Sequence, residues 1–434
     1  MHKGRKTRTR AIFCTTCLLA CAWLCRAPAG QYLYSATDLG TLGGSASSAS
    51  ALNDLGQIVG SADIHSATPV TNHAFLFTNG ALADLGTLGD YLGGSYPVSK
   101  SAATALNNRA QVVGYSYTSS GPIHAFLWDQ GVMTDLGTLP GSQQSKASAI
   151  NDQGQLVGWT VPSGIQHAFL YDIASMTMTD LGTLGAGTES YALAINNHGV
   201  IVGDSWTNNS GLSDLAFVYS NGVMAALGKL GALPAINAYA INDNGQIVGY
   251  AGGVDTGGPT TKRGFIYSDG VMTDLGDLGS YWTNVLPFAL NNKAQIVGTI
   301  SGYQTIGHAF LYSNGTLTDL NNLIDPASGW TLLRANGIND NGQIVCTAEN
   351  ALAQTHAVLL TPRPLLQNLH ASAAQVQFTL TGMTGVVYSV QYAPSLPPTN
   401  WALLTNVVLS SAPAPLVDTA SSTTGQRYYR AIQR

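Results

Sequence analysis

Seven copies of one pattern run through this chain, and repetition at such spacing confines it to an array of like β or α units. An Asn-centred turn recurs at Asn53, Asn107, Asn151, Asn196, Asn242, Asn291 and Asn339, at intervals of 54, 44, 45, 46, 49 and 48 residues. An Asp-Leu-Gly string or a variant begins at Asp38, Asp84, Asp135, Asp180, Ala226, Asp274 and Asp319. A His-Ala-Phe string begins at His73, His124, His167 and His308. It decays to Leu215-Ala216-Phe217, Arg263-Gly264-Phe265 and His356-Ala357-Val358.

Each unit reads as four short strands. In the first unit these are Ser50–Asn53, Gln57–Ser61, His73–Thr78 and Ala81–Leu85, rich in Val, Ile and Phe. Asn53-Asp54-Leu55-Gly56 is a tight turn, in which Asn and Asp bond the local backbone and Gly takes the positive φ. Asn79-Gly80 is a two-residue hairpin. Ala110 and Ala294 stand where the Gly of the Asn turn is expected, so their turns must differ or carry strain.

The two ends of the array are complementary. Its first landmark, Thr37-Asp38-Leu39-Gly40, is a fourth strand with no three before it; the last unit stops at its third strand, His356–Thr361. Joining them completes seven units and removes two open sheet edges. Residues 31–362 are therefore expected to be an all-β, seven-bladed β-propeller closed by the N-terminal strand. Residues 363–434 lack the repeat and show five β-like segments, expected as a small β-sandwich-like C-terminal module.

Residues 1–29 read as a signal peptide. They comprise a basic stretch from Lys3 to Arg10, an apolar run from Ala11 to Cys25 too short for a permanent anchor, and an Ala27-Pro28-Ala29 cleavage site. Leu18-Leu19-Ala20-Cys21 also resembles a lipobox, so anchoring at Cys21 is the competing reading. Both export the protein to the cell surface or beyond. Four of the five cysteines lie in this leader, and Cys346, which replaces the Gly of the Ile-Val-Gly string, is expected as a buried structural thiol.

Six of the 18 basic residues also lie in the leader, leaving 12 basic against 23 acidic side chains. No basic stripe remains to displace the counterions of a polyphosphate, so nucleic acid is excluded as a partner. No later stretch is long and apolar enough for a transmembrane helix.

The strings His-Ala-Phe-Leu, Asp-Leu-Gly-Thr-Leu-Gly-Gly and Ile-Asn-Asp-x-Gly-Gln-Ile-Val-Gly resemble the bacterial extracellular HAF repeat, named for its His-Ala-Phe triplet. The resemblance covers about residues 37–361 and implies export and a repeat fold, with no established activity. The tail, with Tyr388-Ser389-Val390-Gln391, Trp401 and Arg427-Tyr428-Tyr429-Arg430-Ala431, is similar to C-terminal β modules of secreted planctomycete-like bacterial proteins.

Five of nine histidines occupy one repeat position, and symmetry argues against a metal ring, since off-axis strands cannot converge to ligand distances of about 2 Å. Folding the hairpin instead sets each His diagonal to an Asp on the same face. The expected structural latch pairs His73 with Asp84, His124 with Asp135, His167 with Asp180, Arg263 with Asp274, His308 with Asp319 and His356 with Asp38. Where His becomes Leu215, Asp becomes Ala226.

Only two glutamates, Glu189 and Glu349, stand beside 21 Asp, and ten of the latter belong to the Asp-Leu-Gly motifs or the Asn-Asp turns. No catalytic residue, metal or cofactor is assigned. Long, variable loops share one rim and gather aromatics, among them Tyr115, Tyr191, Tyr239, Tyr250 and Trp330; Trp159, Trp206, Tyr281, Trp282 and Tyr303 are the candidate ligand-binding set. The expected function is a monomeric, non-catalytic binding or scaffold protein whose partner is a glycan or an extracellular protein. A carbohydrate-active enzyme on the same face and a structural envelope component are the alternatives.

Overall fold

The computed structural model describes residues 33–65, 71–91, 100–162, 165–185, 187–206, 214–252, 262–279, 282–302, 306–371, 375–382, 387–394, 400–409, 414–419 and 427–433. The leader, with Cys21 and the cleavage site, lies outside them, as do Tyr281 and Tyr303. No helix among the described residues is long and apolar enough to cross a membrane. Ala36–Thr361 form one compact unit, and the described residues on either side of it belong to the other.

Antiparallel sheets in sequence order make up the larger unit. The first comprises Ser47–Leu52, Ile58–Asp63, Asn72–Thr78 and Ala81–Asp84. Sheets whose first strands begin at Ser101, Ser142, Glu189, Leu233 and Asn284 repeat this order, the one at Leu233 gaining a two-residue edge strand, Lys229–Leu230. One more sheet has the order Tyr34–Asp38, Thr355–Pro362, Ile344–Asn350, Trp330–Ile338, drawing strands from both ends of the unit. The fold is a β-propeller.

The Phe of each His-Ala-Phe string drives the packing. Phe75, Phe126, Phe169, Phe217, Phe265 and Phe310 are all fully buried. Each inserts against the sheet before it: Phe126 meets Val59, Ala74 and Leu76, while Phe75 meets Leu39, Val345 and Ala357. Burying such a ring stabilises by roughly 1.5–3 kcal/mol. The Gly of Ile-Val-Gly is required by close approach, because a Cβ on Gly60 would fall 2.0 Å from the Ser48 carbonyl oxygen. Cys346 stands at that position facing Ala335, where the partner strand carries an additional register shift between Leu332 and Arg334. The thiol is fully buried, and burial raises its pKa far above the ordinary value.

The Asn turns hold the sheets to one another. The Asn196 side-chain oxygen accepts the backbone N–H groups of His198 and Val200, while its amide donates to the Asn242 carbonyl of the next sheet at 3.1 Å. The same donation runs from Asn53 to Asn107, Asn107 to Asn151, Asn151 to Asn196, Asn242 to Asn291, Asn291 to Asn339 and Asn339 back to Asn53. These seven asparagines are buried.

The following residue alternates: Asp54, Asn108, Asp152, Asn197, Asp243, Asn292, Asp340. Each Asn amide meets the next carboxylate, as from Asn108 to Asp152 at 3.0 Å and from Asn197 to Asp243 at 3.1 Å. Alternation keeps like charges apart. With seven positions it must fail once, between Asp340 and Asp54, where a backbone N–H of Asp340 donates to Asp54 at 2.9 Å. Ala110 and Ala294 adopt φ of 61° and 56°, so these two turns keep the glycine geometry and carry its strain.

Residues from Leu365 onward form two three-stranded sheets, Leu365–Ala371, Val376–Thr381 and Ala414–Asp418 in one, Ala402–Val408, Val387–Ala393 and Tyr428–Gln433 in the other. The strand Leu365–Ala371 adds to the five segments expected from sequence. Phe378, Leu380, Tyr388, Val390 and Tyr429 share one core. Asp418, buried there, accepts from Arg427 at 2.6 Å and from the Tyr429 hydroxyl at 2.7 Å, so its charge is compensated. Burial and that carboxylate push the Tyr429 hydroxyl pKa up.

Candidate functional site

The repeated charged pairs meet. His Nδ1 lies 2.9 Å from the carboxylate in His73–Asp84, His124–Asp135 and His356–Asp38, 2.8 Å in His167–Asp180 and 2.7 Å in His308–Asp319. Arg263 pairs with Asp274. Phe75 faces Asp84 across the hairpin, so His73 is diagonal to it; Phe217 faces Ala226 in the same register, without a polar pair. Each Asp also accepts from the backbone of the turn that follows it. The Gly86 N–H donates to Asp84 at 2.8 Å, as Gly40, Gly137, Gly182 and Gly276 do to their own Asp.

Asp84→Ala should therefore cost more than His73→Ala. We expect about 1–2 kcal/mol against about 0.5–1 kcal/mol in equilibrium unfolding, because only the first also releases the turn. Equal costs would assign the stabilisation to the imidazole contact alone. Among the described residues no group of three His, Cys, Asp or Glu side chains is placed to hold a metal ion.

A serine of the following sheet pins this corner. Ser101 Oγ accepts the Ala74 N–H at 2.8 Å and donates to the Gly86 carbonyl at 2.6 Å. Ser145, Ser190 and Ser47 make the same bridge to Ala125 and Gly137, to Ala168 and Gly182, and to Ala357 and Gly40. Sequence reasoning missed these serines, although each stands two residues before the alanine of a first strand.

The candidate aromatics divide into three situations. Trp206 ends the strand Ile201–Trp206 and is exposed. Trp282 packs on His308, with ring centroids 4.6 Å apart, and Trp330 packs on His356 at 5.6 Å. Both cover a latch, and Trp282 also joins the buried cluster of Leu275, Val285 and Phe310, so its place is that of a packing residue. Trp282→Ala should lower unfolding stability by about 1–3 kcal/mol, measured by denaturant titration. A wild-type stability would return Trp282 to the ligand-binding set. Trp159 faces inward, edge-on to Tyr191 at 5.7 Å, with the Lys146 ammonium over Tyr115 at 4.3 Å and over Trp159 at 5.3 Å. Burial lowers the Lys146 pKa.

This inward placement follows from strand parity. A small residue of each first strand, such as Ala49, Ala147, Ala192, Ala238 or Ala335, is buried between sheets. The residues flanking it face the propeller axis, where a cavity of about 660 Å³ is lined by Ser48, Ser50, Leu193, Tyr239, Phe288, Leu333, Arg334, Asn336 and Thr347.

Tyr239 stands edge-on to Phe288 at 5.4 Å and near Tyr250 at 6.0 Å, and Arg334 lies on the Phe288 ring at 3.8 Å. Asn336 donates to the Ala49 carbonyl at 2.8 Å and to Thr347 at 3.0 Å. Arg334 is open to the cavity, and its surroundings partly desolvate it, lowering its pKa. Burial, and secondarily the Asp204 carboxylate, raise the pKa of Tyr239. First strands run toward the Asn turns, so Arg334 and Lys146, each directly before its alanine, lie on the side away from them, toward the long loops. Of this lining the sequence singles out Tyr239 alone.

A family model described as a protein of unknown function, DUF3466, matches residues 133–227 and 234–387, more than half of the chain. No curated protein matches the sequence. Similar solved structures include TolB from Acinetobacter baumannii, at 11% identity and a TM-score of 0.39, covering 70% of this chain and 63% of that one. The β-propeller domain of the Trilobed protease from Pyrococcus furiosus is similar at 9% identity and a TM-score of 0.40, covering 64% and 89%. Pyrococcus horikoshii acylaminoacyl peptidase is similar at 9% identity and a TM-score of 0.46, covering 77% and 58%. This chain thus spans less than two thirds of TolB and of the peptidase.

Proposed function

We propose, for a chain that belongs to the DUF3466 family of proteins of unknown function, that it is a secreted seven-bladed β-propeller, closed by its N-terminal strand, which binds a glycan or an extracellular protein without transforming it. The HAF-type repeat is the sequence form of its blades, and the leader exports it as a monomer. The observation that carries this reading is the axial cavity, whose wall combines aromatic faces at Tyr239 and Phe288 with amide and hydroxyl groups at Asn336, Ser48 and Thr347. Aromatic faces stack on sugar rings and hydroxyl or amide groups fix their orientation, which is the usual make-up of a binding site. The ligand enters from the long-loop side, past Trp206.

A glycan array probed with the exported protein, with reducing-sugar release measured alongside, tests the proposal. Binding without release, weakened by Tyr239→Ala, is the expected result. Release of reducing ends would replace it with the carbohydrate-active enzyme. Binding lost in Trp206→Ala yet kept in Tyr239→Ala would move the site from the cavity to the rim.

A further inference from the structure

The cation pattern of the cavity narrows the ligand class. Without its leader the chain carries 12 basic against 23 acidic side chains, so its surface is acidic on balance. Yet two of its few cations, Lys146 and Arg334, occupy one position in different first strands, directly before the inward-packed Ala147 and Ala335. The other sheets hold Ser48, Ala102, Tyr191, Asn237 and Leu286 there.

Arg334 is the more telling of the two. At the latch position the repeat supplies a carboxylate to its cation, as Asp274 does to Arg263. Among the described residues the Arg334 guanidinium makes no hydrogen bond or ion pair, and the nearby Tyr239 hydroxyl bears on its charge electrostatically. The guanidinium carbon lies over the Phe288 ring, 3.8 Å from its centroid. A guanidinium with an aromatic ring but no acceptor beside it can take up charge-assisted hydrogen bonds from an anion without giving up an existing partner. Its planar edge matches a carboxylate with two parallel hydrogen bonds. Asn336 and Thr347, beside it, are already bonded to each other, so they define a fixed wall.

We propose that the axial cavity selects a carboxylate-bearing ligand, specifically an acidic saccharide, with the carboxylate on Arg334 and a sugar face against Tyr239. The proposal rests on the cavity being the binding site, and deepens that reading.

The test uses the exported full chain on an array carrying uronate, sialylated and neutral glycans, followed by calorimetry with trigalacturonate and its methyl ester. The expected result is retention of carboxylated glycans, a Kd for trigalacturonate at least tenfold below that of the ester, and loss of that ratio in Arg334→Gln. Arg334→Lys, which keeps the charge but not the fork, should retain part of the preference, and melting curves of both variants establish that they fold. Equal affinity for acid and ester, or an unchanged ratio in Arg334→Gln, overturns the proposal. If neutral glycans alone bind, and Tyr239→Ala abolishes this, the cavity reading stands and the carboxylate reading falls. If no glycan binds, the acidic-saccharide proposal falls, and of the proposed function only the extracellular-protein arm is left.

Discussion

Asn196→Ala should destabilise the propeller by about 3–5 kcal/mol. The change removes the acceptor of two N–H groups, those of His198 and Val200, and the donor to the Asn242 carbonyl. Asn196 is 4% exposed, so water does not freely replace the lost partners. Each buried polar group left unsatisfied costs about 1–3 kcal/mol.

The molecule contains its own control. Asn350 forms the same local turn, accepting from the Leu352 and Gln354 N–H groups, but its amide reaches only Gln354 and the turn is exposed. Asn350→Ala should cost about 0.5–1.5 kcal/mol. Similar losses at the two sites in denaturant titrations would mean that the contact between sheets adds little. Asn196→Asp, which keeps the acceptor and loses the donor, should fall between them.

Deleting residues 31–40 should destabilise the unit by on the order of 5 kcal/mol and expose a sheet edge. The deletion removes the strand Tyr34–Asp38, the buried side chain of Leu39 and the Gly40 carbonyl that Ser47 pins. It bares Thr355–Pro362 along its length, an invitation to edge-to-edge association. Thermal unfolding should become broader and earlier, and light scattering should show association. A sharp transition at the wild-type temperature would mean that the strand is an accessory.

Much of this architecture is legible in the chain because its signals are local or repeated. Asn-Asp-x-Gly and Asn-Gly fix the turns by their own backbone chemistry, and a fixed spacing between His and Asp places both on one face of a hairpin. What escapes is what depends on the neighbouring sheet. Ser101 looks like filler in an Ala- and Ser-rich strand, and only the folded chain brings it to Ala74 and Gly86 of the previous repeat. The Asp–Asn alternation is written plainly at positions 54, 108, 152, 197, 243, 292 and 340, but its meaning depends on the turns meeting around an axis.

The aromatics are harder to place for a different reason. Strands such as Gln155–Pro162 and Glu189–Ile195 extend further than turn signals alone indicate, so Trp159 and Tyr191, which read as loop residues, sit on inward-facing strand positions. Trp282 and Trp330 share one repeat position, four residues before Leu286 and Arg334, and that regularity marks packing over a latch.

Closure of the ring by the chain's two ends is best tested by a double-mutant cycle at Asp38 and His356, 318 residues apart and 2.9 Å apart when paired. A matched cycle at Asp84 and His73 of the first sheet supplies the reference, since that pair has the same 2.9 Å contact within one hairpin. Both cycles should give the same coupling, about 0.5–1 kcal/mol in unfolding free energy. Coupling at Asp84–His73 with none at Asp38–His356 would contradict closure and leave the propeller open at its seam.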